Sequence, residues 1–197
     1  MNKSKLALIV LSLSVMFFSG CAHKISMTPE LEDIRKIEIT DKIDINVGYY
    51  ISDDLRKLEV ITPGGGGDDV KYTPYSDTEG ALNTILSKKF TRVYYIKSLK
   101  DTQYIKKNNI LYIFTPKIIT DSSSDSFMLW PPSNFKVDLT CTAMDSEGTK
   151  VWEETVHAEG NAITEEFIKD FSITAKIATE SSFKKMLLKL NDFKDNK

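Results

Sequence analysis

The strongest constraint on the fold is an alternation that runs through residues 135–144. Val137, Leu139 and Cys141 recur at every second position, with Asp138, Thr140 and Thr142 between them. A period of two puts one set of side chains on one face of a strand, so this stretch reads as a strand with a buried side. Asp145-Ser146-Glu147-Gly148 comes next, a hairpin turn in which Gly148 can take a positive φ. Residues 150–159 then return as the partner strand, which brings Val151 and Trp152 to just past the turn. A chain organised around such a hairpin builds antiparallel sheet and must cover one face of it.

The cover is predicted on either side of the hairpin in sequence. Ser76-Asp77-Thr78-Glu79 has the form of a capping box, with Ser76 as N-cap and Glu79 reaching back. Leu82, Ile85, Leu86 and Phe90 come after it at helical spacing. A second helix is predicted over residues 170–190, with Ile173, Ile177, Phe183, Leu187 and Leu190 on one half of its circumference. Between the two helices, residues 92–96 read as a strand, Asn108-Asn109 as a turn, and residues 110–114 as a strand buried on both faces. Pro116 cannot donate to a ladder and marks an edge or bulge there. Ile37, Ile39, Ile43, Ile45 and Val47 alternate and predict one or two earlier strands, and Leu55, Leu58, Val60 and Ile61 predict a short strand or turn. The order is β-α-β-β-β-β-α behind those earlier strands. This is a single α+β domain, with an antiparallel or mixed sheet and two main helices on one face.

The N-terminus carries a different kind of information. Lys3 and Lys5 precede an apolar run over residues 6–18, broken only by Ser12 and Ser14. A spanning helix needs about 20 apolar residues, so the run is too short to cross a bilayer and reads as a secretory signal peptide. It exits through Phe18-Ser19-Gly20-Cys21, which resembles the lipobox of bacterial lipoproteins. The resemblance implies cleavage before Cys21 and lipid on that cysteine. By the same resemblance, Ala22 stands where an aspartate would mark inner-membrane retention, which implies the outer membrane, facing the periplasm. The chain therefore divides into a signal peptide (1–20), a lipidated tether (21–36), a globular domain (37–190) and a polar tail (191–197).

Little chemistry is legible. Net charge is −2, with acidic and basic residues interspersed, which excludes a nucleic-acid footprint. With Cys21 lipidated, Cys141 is left alone, so no internal disulfide forms, and its strand position marks it as a small buried apolar residue. Of the two histidines, His23 neighbours the anchor and His157 lies in the returning hairpin strand. No HExxH, paired cysteine or GxSxG motif is present. Residues 64–67 are glycines followed by Asp68 and Asp69, a surface loop without the Lys-Ser/Thr ending of a phosphate cradle. No catalytic residue, metal site or cofactor is expected. The one unusual surface feature is Phe127-Met128-Leu129-Trp130 before Pro131 and Pro132. Its residues are a candidate partner patch, the competing reading being a loop folded back over one end of the core.

In overall plan the chain resembles the small outer-membrane lipoproteins of the YajG, LptE and CsgG type. The matching stretches are Ile45-Asn46-Val47-Gly48-Tyr49-Tyr50, the helix ending near Phe90 with Arg92-Val93 behind it, and the turn at Asp145-Ser146-Glu147-Gly148 with Trp152. The resemblance implies a non-enzymatic accessory or assembly factor of an envelope complex, anchored through Cys21 and docked on a protein partner. The alternative is a small-ligand or lipid-binding lipoprotein with a cleft between sheet and helices. Neither reading fixes the oligomeric state.

Overall fold

The predicted hairpin is the spine of the larger of two sheets. The computed structural model describes residues 22–39, 41–63, 69–122 and 134–194. Cys21, the glycines 64–67, and Phe127, Met128, Leu129 and Trp130 lie outside them. In chain order the elements are β1 His23–Lys24, α1 Leu31–Arg35, β2 Ile43–Tyr49, α2 Asp53–Arg56, β3 Val60–Pro63, β4 Asp69–Tyr72, α3 Pro74–Lys89, β5 Phe90–Tyr95, α4 Thr102–Lys107, β6 Ile110–Asp121, β7 Asn134–Asp145, β8 Lys150–Asn161, α5 Thr164–Lys169 and α6 Ile173–Lys189. The main sheet is mixed, in the order β5-β2-β6-β7-β8. β2 runs parallel to both β5 and β6, while β6, β7 and β8 are antiparallel. A small sheet, β1-β4-β3, sits beside it.

The turn chemistry is as expected. Gly148 has φ 84°, and the Asp145 carboxylate accepts from Glu147 N at 2.9 Å and from Thr149 N at 2.9 Å. Val137, Leu139 and Cys141 are buried, and Asp138, Thr140 and Thr142 lie on the opposite face. β6 is covered on both sides at its start. Tyr112 and Phe114 join the main core, whereas Ile110 and Ile113 join Ile96 and Ile105 in a second cluster under α4. Pro116 pairs with Cys141 on one side, and on the other β2 has already ended at Tyr49, opposite Phe114. No partner there is left without a donor.

The two long helices, α3 and α6, cover one face of the sheet, as the apolar spacing predicts. Three details differ. The first is the start of α3, which lies at Pro74 rather than after Ser76, with Thr73 at the N-cap. Proline suits the first helical turn because its missing N–H would be an orphan there. Glu79 does not reach back as a cap, since its carboxylate is held by Tyr49 and Arg56. The second is α6, which begins at Ile173 after the separate helix α5 and buries Thr174, Ala175, Ala178, Thr179, Ser182, Phe183, Met186 and Leu187. Ile177, expected in the core, is 37 % exposed. The third is α4, a short helix on the other face that the apolar pattern does not announce.

Two domain boundaries are corrected. Residues 22–36 are not a free tether. β1 pairs with β4, Ile25 N–H donates to Lys71 O at 3.0 Å, and Ile25, Met27 and Ile34 are buried. Their apolar side chains are too irregularly spaced to show a period, yet each finds a core position once β4, α3 and α6 are in place. At the other end, Leu190–Asp192 forms a 3₁₀ turn and Phe193 is 3 % exposed. Its ring lies 5.2 Å from Tyr112, 5.4 Å from Phe90, 5.6 Å from Phe114 and 6.0 Å from Trp152. The expected tail is therefore core as far as Phe193.

Candidate functional site

The sheet register brings several chain ends to one pole of the molecule. Asp121 at the end of β6 pairs with Lys136 near the start of β7, and Asn134 pairs with Asn161 at the end of β8. The small sheet docks here: Tyr72 Oη and Thr120 Oγ1 are 2.8 Å apart, the Tyr72 and Phe135 rings meet edge-on at 5.2 Å, and Thr62 and Ser122 join through their hydroxyls. His23 pairs with Val70, so the chain enters the fold at this pole, and Ser26 N–H donates to Ser172 Oγ at 3.0 Å at the α5–α6 corner. The flanks of the segment carrying Phe127, Met128, Leu129 and Trp130, namely Ser122 and Asn134, belong to the same end. Cys21, Phe127, Met128, Leu129 and Trp130 themselves lie outside the described residues.

A polar cluster that the sequence did not disclose joins β2, β5, α2 and α3. Tyr49 Oη donates to Glu79 Oε1 at 3.0 Å, and Arg56 Nη1 meets Glu79 Oε2 at 3.0 Å. The Arg56 guanidinium lies over the Tyr95 ring at 4.4 Å, and the Tyr49 and Tyr95 rings are 5.7 Å apart. Arg56 Nε and Nη2 are buried without a hydrogen-bond partner among the described residues, so the aromatic face is their main compensation. Burial first, then the Glu79 carboxylate, pushes the Tyr49 phenol well above the usual tyrosine range. Tyr49 therefore stays protonated as a donor to Glu79, and Arg56 supplies the cation of the cluster. This is a clamp that ties strand ends to helices, not a poised acid–base pair.

The uncovered face of β6–β8 is a ladder of short polar pairs. Thr140 and Thr155 hydroxyls are 2.8 Å apart, Thr142 Oγ1 donates to Glu153 Oε2 at 2.9 Å, and Lys150 Nζ reaches Glu153 Oε1 at 2.8 Å. Those contacts, Lys150 foremost, hold the Glu153 carboxyl below the usual range. Glu154, on the other face, pairs with Lys189 at 3.4 Å, so alternation separates the two carboxylates as expected. His157 Nδ1 lies 2.7 Å from Asp138 Oδ1, with both side chains largely in solvent. Exposed cross-strand pairs of this kind are screened by solvent and add little to stability. Among the described residues, no group of three or more His, Cys, Asp or Glu side chains is placed to hold a metal ion. No helix among them is long and apolar enough to cross a membrane.

Cys141 is fully buried in the sheet core, and burial pushes its thiol from 9.0 up to about 12. The fold thus favours the neutral thiol. Stability from this group is complete below about pH 9 and declines between pH 9 and 12, where the unfolded chain ionises first. Cys141 of the native protein at pH 8 is therefore expected to resist thiol reagents, and guanidinium is expected to make it reactive. Rapid labelling of native protein at Cys141 would contradict this placement.

An open, half-polar depression of about 480 Å³ lies beside α1, lined in part by Ser26, Thr28, Glu30, Arg35 and Lys176. A mostly apolar hollow of about 140 Å³ lies between α4 and the hairpin turn, lined in part by Leu99, Ile105, Ile113, Met144 and Asp145. Ligand pockets usually enclose about 300–1,000 Å³. This hollow lies on the α4 side, away from the sheet–helix layer, where Phe90, Tyr112, Phe114 and Phe193 pack ring to ring.

No family model matches the chain. No curated protein matches it either. Among solved structures it is similar to a protein of family DUF330 from Xanthomonas campestris, at 10 % identity and a TM-score of 0.45, covering 87 % of this chain and 93 % of the other. It is similar to the PelC dodecamer from Paraburkholderia phytofirmans, at 15 % identity and a TM-score of 0.38, covering 73 % and 94 %. A candidate lipoprotein from Caulobacter crescentus matches at 11 % identity and a TM-score of 0.35, covering 68 % and 86 %. At such scores these likenesses carry no argument about function.

Proposed function

We propose that the chain is a lipoprotein anchored in the bacterial outer membrane through Cys21, facing the periplasm, and that it serves there as a non-enzymatic accessory or assembly factor of an envelope complex. The observation that carries this reading is the N-terminus: two lysines, a short apolar run and the small residues Ser19-Gly20 before Cys21. The packed sheet–helix layer supports a docking role over the alternative of a ligand held between sheet and helices. In this reading Phe127, Met128, Leu129 and Trp130 contact an envelope protein at the membrane surface, which agrees with their flanks Ser122 and Asn134 lying at the pole where the chain enters the fold.

The anchor is tested by Cys21→Ser. Wild-type cells fed an alkyne fatty acid are expected to yield a labelled, membrane-bound protein. The variant is expected to carry no label and to accumulate uncut or soluble. Normal membrane fractionation and labelling of the variant would overturn the reading.

A further inference from the structure

Lipid on Cys21, the reading on which this inference rests, would leave very little chain between the anchor and the folded domain. A single residue, Ala22, separates Cys21 from β1. An extended chain gains about 3.5 Å per residue, so two residue steps from Cys21 to His23 reach about 7 Å. The headgroup layer on each side of a bilayer is roughly 5–8 Å thick. β1 cannot move away from β4 to lengthen this connection without breaking its pairing with Val70 and Lys71 and exposing Ile25 and Met27. The domain therefore has no slack with which to stand off the membrane, and the pole where β1 enters must face the lipid.

What that pole presents agrees with such a position. Ser26, on the outgoing side of β1, is bonded to Ser172 at the α5–α6 corner. At this corner Ile163, Ile168 and Phe171 are 63 %, 66 % and 45 % exposed, although Phe167 beneath them is buried and meets the Phe171 ring edge-on at 5.6 Å. Across the small sheet, Ile61 of β3 is also exposed. Large apolar side chains grouped beside an acylated residue are placed to sink into the boundary between headgroups and acyl chains, as amphipathic surface helices do over about 5–10 Å. We infer that the α5–α6 corner is a lipid-contacting surface: the bilayer itself, rather than a protein, covers Ile163, Ile168 and Phe171. The domain lies flush on the membrane with α5 in the headgroup layer, and β8 and α6 lead away from it.

The test uses full-length lipidated protein in vesicles of phosphatidylethanolamine and phosphatidylglycerol that contain a fraction of doxyl-labelled acyl chains. Ile168→Cys and Leu188→Cys each receive an environment-sensitive thiol dye. Leu188 is 54 % exposed near the far end of α6, and the buried Cys141 does not compete for the dye. Quenching is expected to be about threefold stronger at position 168 than at position 188. The mass of the N-terminal peptide is read from the same sample. Equal quenching on a chain whose Cys21 is acylated would overturn the flush orientation and leave the anchor standing. A peptide without diacylglycerol would remove the anchor reading, and this inference with it.

Discussion

Gly160→Ala is expected to cost about 3 kcal/mol, lowering the melting temperature by roughly 6–12 °C for a domain of this size. Gly160 lies near the end of β8, facing the start of α6. A Cβ at this position would stand 2.0 Å from Thr174 O, 2.6 Å from Ala178 N and 3.0 Å from Thr174 C. All three are backbone atoms, so no rotamer change relieves the clash. The helix must move, and it carries Phe183, Met186 and Leu187 in the core with it. Gly148→Ala is the informative comparison. Nothing lies within 4 Å of the Cβ that it would add, and the strain there comes only from φ 84°. That substitution is expected to cost about 1–2 kcal/mol, and asparagine is expected to cost less. Thermal melts of the variants decide the matter. If Gly160→Ala melts within a degree or two of the parent protein, β8 and α6 do not approach as described.

The same contact explains why the sequence predicts α6 and the apolar half of its buried face but not the rest of that face. Apolar spacing points to Ile173, Ile177, Phe183, Leu187 and Leu190, of which Phe183, Leu187 and Leu190 are buried. The close approach at Gly160 adds to that face the small side chains Ala175, Ala178, Thr179 and Ser182, which carry almost no hydropathy signal, and turns Ile177 outward. The hairpin was readable because one buried face and one polar face impose a period of two over its full length. The Tyr49–Glu79–Arg56 clamp was not, because its members stand on three elements and meet only after β2 and α3 have packed. β1 and α1 are not legible in the sequence for a related reason. Ile25, Met27 and Ile34 sit in a polar stretch without periodicity, and their burial depends on partners far along the chain. The lipobox-like stretch Ser19-Gly20-Cys21 is the converse case, since its resemblance is read from residue types alone and needs no folded partner.

Phe193→Ala is expected to destabilise the domain by about 4 kcal/mol, a melting shift of roughly 8–16 °C. The residue looks dispensable by position, in a polar stretch near the C-terminus. In the fold its ring is surrounded by Phe90, Tyr112, Phe114 and Trp152, which come from β5, β6 and β8. Removing it empties the centre of an aromatic cluster whose other members are fixed on strands and cannot close the gap. It also frees the 3₁₀ turn, whose own burial is through Leu190, to unwind from the end of α6. Truncation separates this account from a frayed tail. A chain ending at Lys194 is expected to melt with the parent protein, whereas one ending at Asp192 is expected to lose as much stability as Phe193→Ala. Equal melting of the two truncated chains would return the last residues to the status of a tail and remove Phe193 from the core. If the shorter chain alone is destabilised, the domain extends to its final aromatic residue, and the sheet–helix layer is completed from the C-terminus rather than by the helices alone.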